Sequence, residues 1–159
     1  MAETAAAQPI LVPVDFSPDS TAALRCAAEL AALFRAPLLI VHVVHDPGEA
    51  PGYYAVKGHN KHLQKLEDVA AGMFEEFLQD FIAAHPGLDA VKSAETSLIT
   101  GLPVNRILEL ADKSGARMIV MGSQGRTGLA RALLGSKAEQ VVRLAHVPVT
   151  IVKANVQEE

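Results

Sequence analysis

Leu38-Leu39-Ile40-Val41-His42-Val43-Val44 is apolar at every position except His42. A strand with one wet face alternates apolar and polar residues, so an unbroken run predicts a strand covered on both faces, as in a parallel sheet between helices. Immediately upstream, Ala23, Cys26, Ala27, Leu30, Leu33 and Phe34 recur at three- and four-residue steps, which predicts a helix with one buried stripe that stops before Pro37. Its start is signalled by Ser17-Pro18, a capping hydroxyl with proline in the first turn. Before that, Ile10 to Val14 is a short apolar run ending at Asp15, a first strand.

Downstream, His45 to Asn60 carries Pro47, Gly48, Pro51, Gly52 and Gly58 without a period and reads as a long loop. A helix follows from about His62 to Ala84, with Leu66, Val69, Ala70, Met73, Phe77 and Phe81 on one face, and His85-Pro86-Gly87 ends it. Val91 to Ile99 alternates more and reads as a strand near the sheet edge. Then come the turn Gly101-Leu102-Pro103, a helix with Val104, Ile107, Leu108 and Ala111, and the strand Met118 to Met121. A glycine-rich segment from Gly122 to Gly135 leads to a helix from Ser136, with Ala138, Val141, Val142 and Ala145 on one side, and Val147 to Val152 is the last strand. Five strands alternating with four helices predict an α/β sandwich with a parallel sheet. In such sheets ligands bind beyond the carboxyl ends of the strands, here Asp15, Val44, Thr100 and Gly122.

The 159 residues suit one domain; half are apolar and 20% charged, enough for a core and too few charges for wholesale disorder. The longest apolar runs are too short to span a bilayer, so no membrane insertion is expected. The net charge of −4 argues against a nucleic-acid role for the average surface. One cysteine precludes an internal disulfide. The start of the chain lacks a basic residue followed by an apolar stretch, so the expected location is cytoplasmic. Cys26 reads as a buried inert thiol.

Met121-Gly122-Ser123-Gln124-Gly125, nine further residues, then Gly135-Ser136 is the segment that carries chemistry. Glycines let backbone N–H groups approach a phosphate, and the helix that follows offers unpaired N–H groups and a positive dipole end. Ser136 reads as its cap or as a hydroxyl donor to phosphate; a plain turn and a capped helix remain the alternative on spacing alone. Gly135-Ser136-Lys137 has the wrong order for a phosphate loop, and Ala130 stands where that loop needs glycine. Asp15-Phe16-Ser17 replaces the glycines of a dinucleotide fingerprint, and Gly122-Ser123-Gln124-Gly125 lacks the central serine of a hydrolase elbow.

With Val12-Pro13-Val14-Asp15-Phe16-Ser17, Gly101-Leu102-Pro103 and Val147-Pro148-Val149-Thr150-Ile151-Val152-Lys153, these glycines resemble the universal stress protein family in its ATP-binding branch, from about Ile10 to Lys153. The resemblance implies a three-layer, Rossmann-like fold of the adenine nucleotide alpha hydrolase type, with a five-stranded parallel sheet in order 3-2-1-4-5. It implies a domain over 10–153 with flexible tails at 1–9 and 154–159. ATP, or alternatively AMP or ADP, would lie between the first and fourth strands, with Mg2+ on the phosphates as an option. Pro13 and Val14 would line the nucleoside pocket, Asp15 would bind ribose hydroxyls or organise a metal, and Val43 would meet adenine through its backbone. Met121, Gly122, Gln124, Gly125, Gly135 and Ser136 would hold ribose and phosphates, with Lys137 and Ala138 opening the helix aimed at them. Gln124 departs from the basic residue or histidine common at that position, and Lys137 would restore a charge.

The implied function is a nucleotide-dependent stress-response regulator, a homodimer through Val147 to Val152, with an unknown protein partner. The alternative is a slow ATPase or nucleotide-dependent transferase in the same pocket, and a nucleotide-free interaction module is a third reading. No general base or arginine finger stands out, so no catalytic residue is assigned. His59 and His62 lack a third ligand and no metal site is assigned; His42 reads as a satisfied core histidine. Tyr53 and Tyr54 would close over the nucleotide, meet a partner or belong to a mobile loop, and Glu75, Glu76 and Asp80 form a solvated helix face. Residues 122–153 hold Arg126, Arg131, Lys137, Arg143 and Lys153 against Glu139 alone, a basic segment in an acidic chain that suits a small polyphosphate better than a long nucleic acid.

Overall fold

The computed structural model describes residues 6–45, 62–124 and 134–154. In chain order the elements are β1 (Ile10–Pro13), α1 (Pro18–Phe34), β2 (Leu38–Val44), α2 (His62–Ala84) and α3 (Asp89–Lys92). They continue with β3 (Glu95–Thr100), α4 (Pro103–Ser114), β4 (Met118–Gly122), α5 (Ser136–Leu144) and β5 (Val149–Val152). The five strands form one sheet in the order β3-β2-β1-β4-β5, and every neighbouring pair is parallel.

Because side chains alternate along a strand, even and odd positions build separate cores. Ile10, Val12, Leu38, Ile40 and Val120 face α1 and α2, where they meet Ala23, Leu24, Ala27, Phe74 and Phe81. Leu11, Leu39, Val41, Val43, Ile119 and Met121 face α4 and α5, where they meet Val104, Ile107, Ala111, Ala138 and Val141. All seven residues of β2 are buried, which is what its unbroken apolar run predicts.

The helix stripes differ from expectation in detail. On α1 the buried set is Ala23, Leu24, Ala27, Ala28 and Ala31, whereas Leu33 and Phe34 are 79% and 50% exposed. The stripe runs along small residues because α1 packs close to β4; Phe34, at the helix end, instead carries the Arg117 guanidinium over its ring at 4.7 Å. Cys26 is partly exposed rather than buried. On α2, Phe74 and Phe81 are buried while Phe77 is only partly so. On α5, Val142 is 47% exposed, and Val141 and Ala138 carry the packing.

The third strand starts at Glu95 rather than Val91, since residues 89–92 form the extra helical turn α3. That turn buries Val91 against the α1–α2 core, and Ser93 closes it by donating N–H and Oγ–H to the Asp89 carbonyl. The final strand starts at Val149, two residues later than expected. Among the described residues, no helix is long and apolar enough to cross a membrane.

Candidate functional site

The chain moves from β1 outward through β2 to β3, then returns to the other side of β1 for β4 and β5, so the strand order reverses between β1 and β4. At that point neighbouring connections leave in opposite directions, and a crevice opens beyond the strand ends.

Pro13 sharpens this crevice. Ile10 N–H donates to Pro37 and Val14 N–H to Val41, so even positions of β1 point their backbone groups toward β2. Position 13 therefore faces β4, where proline has no N–H to give. The β1–β4 register pairs Ile10 with Met118 and Leu11 with Ile119, whereas β1–β2 pairing runs on to Pro13 and Val41. The same alternation turns the backbone of Val43 toward the β1 side of β2, beyond the last position that β1 pairs. Its side chain is buried on the α4–α5 side, so a ligand on the β1 side would meet its backbone.

After β1 the chain turns sharply. The Asp15 carboxylate accepts the Ser17 N–H at 3.0 Å, Phe16 takes a left-handed conformation with φ 66°, and Ser17 caps α1 by accepting the Ser20 N–H. Val14 is buried, and its carbonyl lies 2.7 Å from His42 Nδ1. Since a carbonyl only accepts, that nitrogen carries the proton. His42 also stacks on Phe16 at 4.3 Å, with Phe74 and Phe77 around the pair, so this histidine is satisfied in the core as expected and braces the turn carrying Asp15.

On the other wall, Met121 is buried on the α4–α5 face and pairs with Ile151. A Cβ on Gly122 would lie 2.8 Å from Asp19 Cβ and 2.9 Å from its backbone carbon. This glycine is thus required by the first turn of α1. Gly135 donates its N–H to the Ser123 carbonyl at 2.7 Å, and a Cβ there would sit 3.0 Å from that oxygen. Two strands of backbone touch at the glycine, which fixes the start of α5 beside the end of β4.

Ser136 was expected at the cap, but Gly135 occupies it without a side-chain bond, and Ser136 is the first helical residue. The first intrahelical bond is Glu139 N–H to the Gly135 carbonyl, so the N–H groups of Ser136, Lys137 and Ala138 precede the ladder. Ser136 and Lys137 are exposed there, whereas the Ala138 side chain is buried in the core and only its backbone can serve a ligand. Gln124 N–H is donated to Asp19 Oδ2 at 3.0 Å. Gly125, Tyr53, Tyr54 and His59 lie outside the described residues, as does the side chain of His62.

Two residues of this site carry no role in the sequence reading. Asp19 gathers Ser123 Oγ–H, Gln124 N–H and Ala154 N–H on one carboxylate, and Ser123 is buried at the β4 end. Asp19 has the sequence signature of any acid in a first helical turn, which gives no hint of partners more than 100 positions away.

The universal stress protein family model matches residues 7–153. The chain belongs to the universal stress protein family. It is 32% identical to universal stress protein YxiE of Bacillus subtilis over 148 residues, covering 91% of this chain and 97% of that one. A Mycobacterium tuberculosis universal stress protein is longer, the chain covering 48% of it at 32% identity, while a match to one from Methanocaldococcus jannaschii is 53% identical over 58 residues, covering 36% of this chain and 34% of that one. Among solved structures, a universal stress protein in complex with cAMP is 25% identical with a TM-score of 0.66, covering 95% of this chain and 100% of that one. The Archaeoglobus fulgidus universal stress protein in complex with dAMP is 25% identical with a TM-score of 0.60, covering 93% and 99%. The sheet order of this universal stress protein is the one the family resemblance implies.

Proposed function

We propose that this universal stress protein binds an adenine nucleotide in the crevice between β1 and β4 and that occupancy regulates its association with a partner protein. The observation that carries this reading is the early end of the β1–β4 ladder before Pro13, together with the α5 amino terminus that Gly135 pins beside Ser123 at the end of β4. Three ladder-free N–H groups and a helix dipole favour an anion there. The adenine nucleotides carried by two structural neighbours support the ligand class. In this reading Val43 offers its backbone to adenine, Pro13 and Val14 line the nucleoside pocket, and Asp15 takes ribose hydroxyls or a Mg2+ on the phosphates. Ser136, Lys137 and the backbone of Ala138 hold the phosphates, with Met121, Gly122, Gln124, Gly125 and Gly135 shaping their approach.

ATP is the proposed physiological ligand, with ADP and AMP bound in the same place. The proposed unit is a cytoplasmic homodimer of domain 10–153, joined through the last strand. A nucleotide changes partner affinity only by as much as the partner distinguishes the two states. Measuring ATP binding and hydrolysis together, with and without Mg2+, tests the regulator against a slow ATPase. Binding without turnover is expected; turnover that disappears in Ser136→Ala would establish the enzyme instead.

A further inference from the structure

Asp19 lies in the first turn of α1, outside the residues proposed to touch the nucleotide. Its carboxylate accepts three hydrogen bonds from two segments far apart in sequence. Oδ2 takes Ser123 Oγ–H at 2.9 Å and Gln124 N–H at 3.0 Å, while Oδ1 takes Ala154 N–H at 2.9 Å. Bonds to an ionised acceptor are roughly twice as strong as neutral ones, so this carboxylate is a strong tie between the segments. The backbone packs as closely as the side chains: the missing Cβ of Gly122 leaves just the room that Asp19 fills.

Each segment leads somewhere. Ser123 receives the Gly135 N–H on its carbonyl at 2.7 Å, which connects it to the start of α5 and the proposed phosphate site. Ala154 follows β5, the outer strand of the sheet, and Ser123 N–H also donates to Val152 at its end. A continuous chain of contacts therefore runs from the α5 amino terminus through Ser123 and Gln124 to Asp19 and on to Ala154. A bound phosphate and the Asp19 carboxylate are both anions, and both attract the N–H and O–H donors of residues 123–124.

We propose that Asp19 is a positioning residue that couples the nucleotide site to the chain leaving the outer strand. A ligand that draws on Ser123 or Gln124 changes the hold of the shared carboxylate on Ala154. By linkage, whatever holds the chain at Ala154 changes nucleotide affinity by the same factor. The ligand half of this inference rests on the nucleotide reading above; the coupling between residues 123–124 and 154 does not.

The test is amide hydrogen exchange at Gln124 and Ala154 in the full chain, compared among wild type, Asp19→Asn and Ser123→Ala, with and without ADP. Asn preserves the shape but turns an NH2 group toward donors. Without nucleotide, Asp19→Asn is expected to speed exchange at both amides by about tenfold or more. Ser123→Ala removes a donor only on the β4 side and is nevertheless expected to speed exchange at Ala154. Saturating ADP changes Ala154 protection in wild type and leaves it unchanged in Asp19→Asn. The inference is overturned if Ala154 ignores Ser123→Ala, or if ADP moves Ala154 equally in Asp19→Asn. Equal acceleration across the β1 and β2 amides, the mark of global opening, overturns it too. Should wild type bind no adenine nucleotide, the nucleotide reading falls, and the nucleotide-free comparison alone decides the coupling.

Discussion

Gly122 stands in a motif that reads as a phosphate cradle, yet its own reason for being glycine is the first turn of α1. A methyl group there would press on Asp19 Cβ and backbone at 2.8 and 2.9 Å, and neither atom is a flexible chain end. Gly122→Ala is therefore expected to destabilise the fold by about 1–3 kcal/mol, the usual cost of overpacking, read as a lower urea midpoint at unchanged slope. Cys26 is a second case where surroundings decide behaviour. Burial, with a contribution from the Glu29 carboxylate, raises the thiol above its ordinary value. The thiolate is thus depleted in the folded state. Alkylation by iodoacetamide at about pH 8 should be slower in native than in unfolded protein, the two rates converging as pH rises past the raised value. Glu29→Gln should speed the native reaction; equal native and unfolded rates near neutral pH would contradict the account.

Among the elements, β1 is short because its sequence makes it so. Pro13 faces β4 and cannot donate to the ladder, and the β1–β4 register stops at Leu11 and Ile119. Pro13→Val restores the missing donor, so nucleotide affinity is expected to fall at least tenfold while the thermal midpoint stays level or rises. Calorimetric titration beside a thermal melt would check this, and undiminished affinity would remove Pro13 from the explanation. Elements with strong local signals were legible from residues alone: the unbroken run of β2, the Ser17 cap of α1 and the extent of α2 all stand where they were read. The turn α3 was not, because Val91 satisfies a strand pattern and only its burial against α1 and α2 shows that a helical turn brings it there. Leu33 and Phe34 fit the period of α1 but stand exposed in its last turn, a fact that needs the third dimension. The site divided similarly. The glycines and strand ends could be read in sequence, whereas Asp19 could not, since its partners Ser123, Gln124 and Ala154 all lie more than 100 positions further along the chain.

At the level of the whole molecule, Lys137 opens α5 on a chain whose net charge is −4, so the α5 amino terminus carries a cation within an acidic protein, whereas Arg143 lies in the last turn of that helix and pairs with Glu139. The sheet also ends in β5, an outer strand. Ile119 N–H donates to Pro148 and Ser123 N–H to Val152, so even positions of β5 serve β4 and odd positions turn their backbone outward. The proposed dimer would use those outward groups. Val149→Pro removes an outward N–H while sparing the bonds to β4, and it is expected to weaken dimerisation with little change in monomer stability. Sedimentation velocity at micromolar concentration would reveal this as a shift toward monomer; a wild-type protein already monomeric there would end the dimer proposal.

The central claim is that the crevice between β1 and β4 holds an adenine nucleotide. Its most direct test is to denature freshly purified protein, identify the released small molecules by mass, and titrate stripped, refolded protein with ATP and AMP. A co-purified adenine nucleotide or saturable binding of at least one of the two is expected; no released adenine nucleotide together with no binding to either would overturn the nucleotide reading.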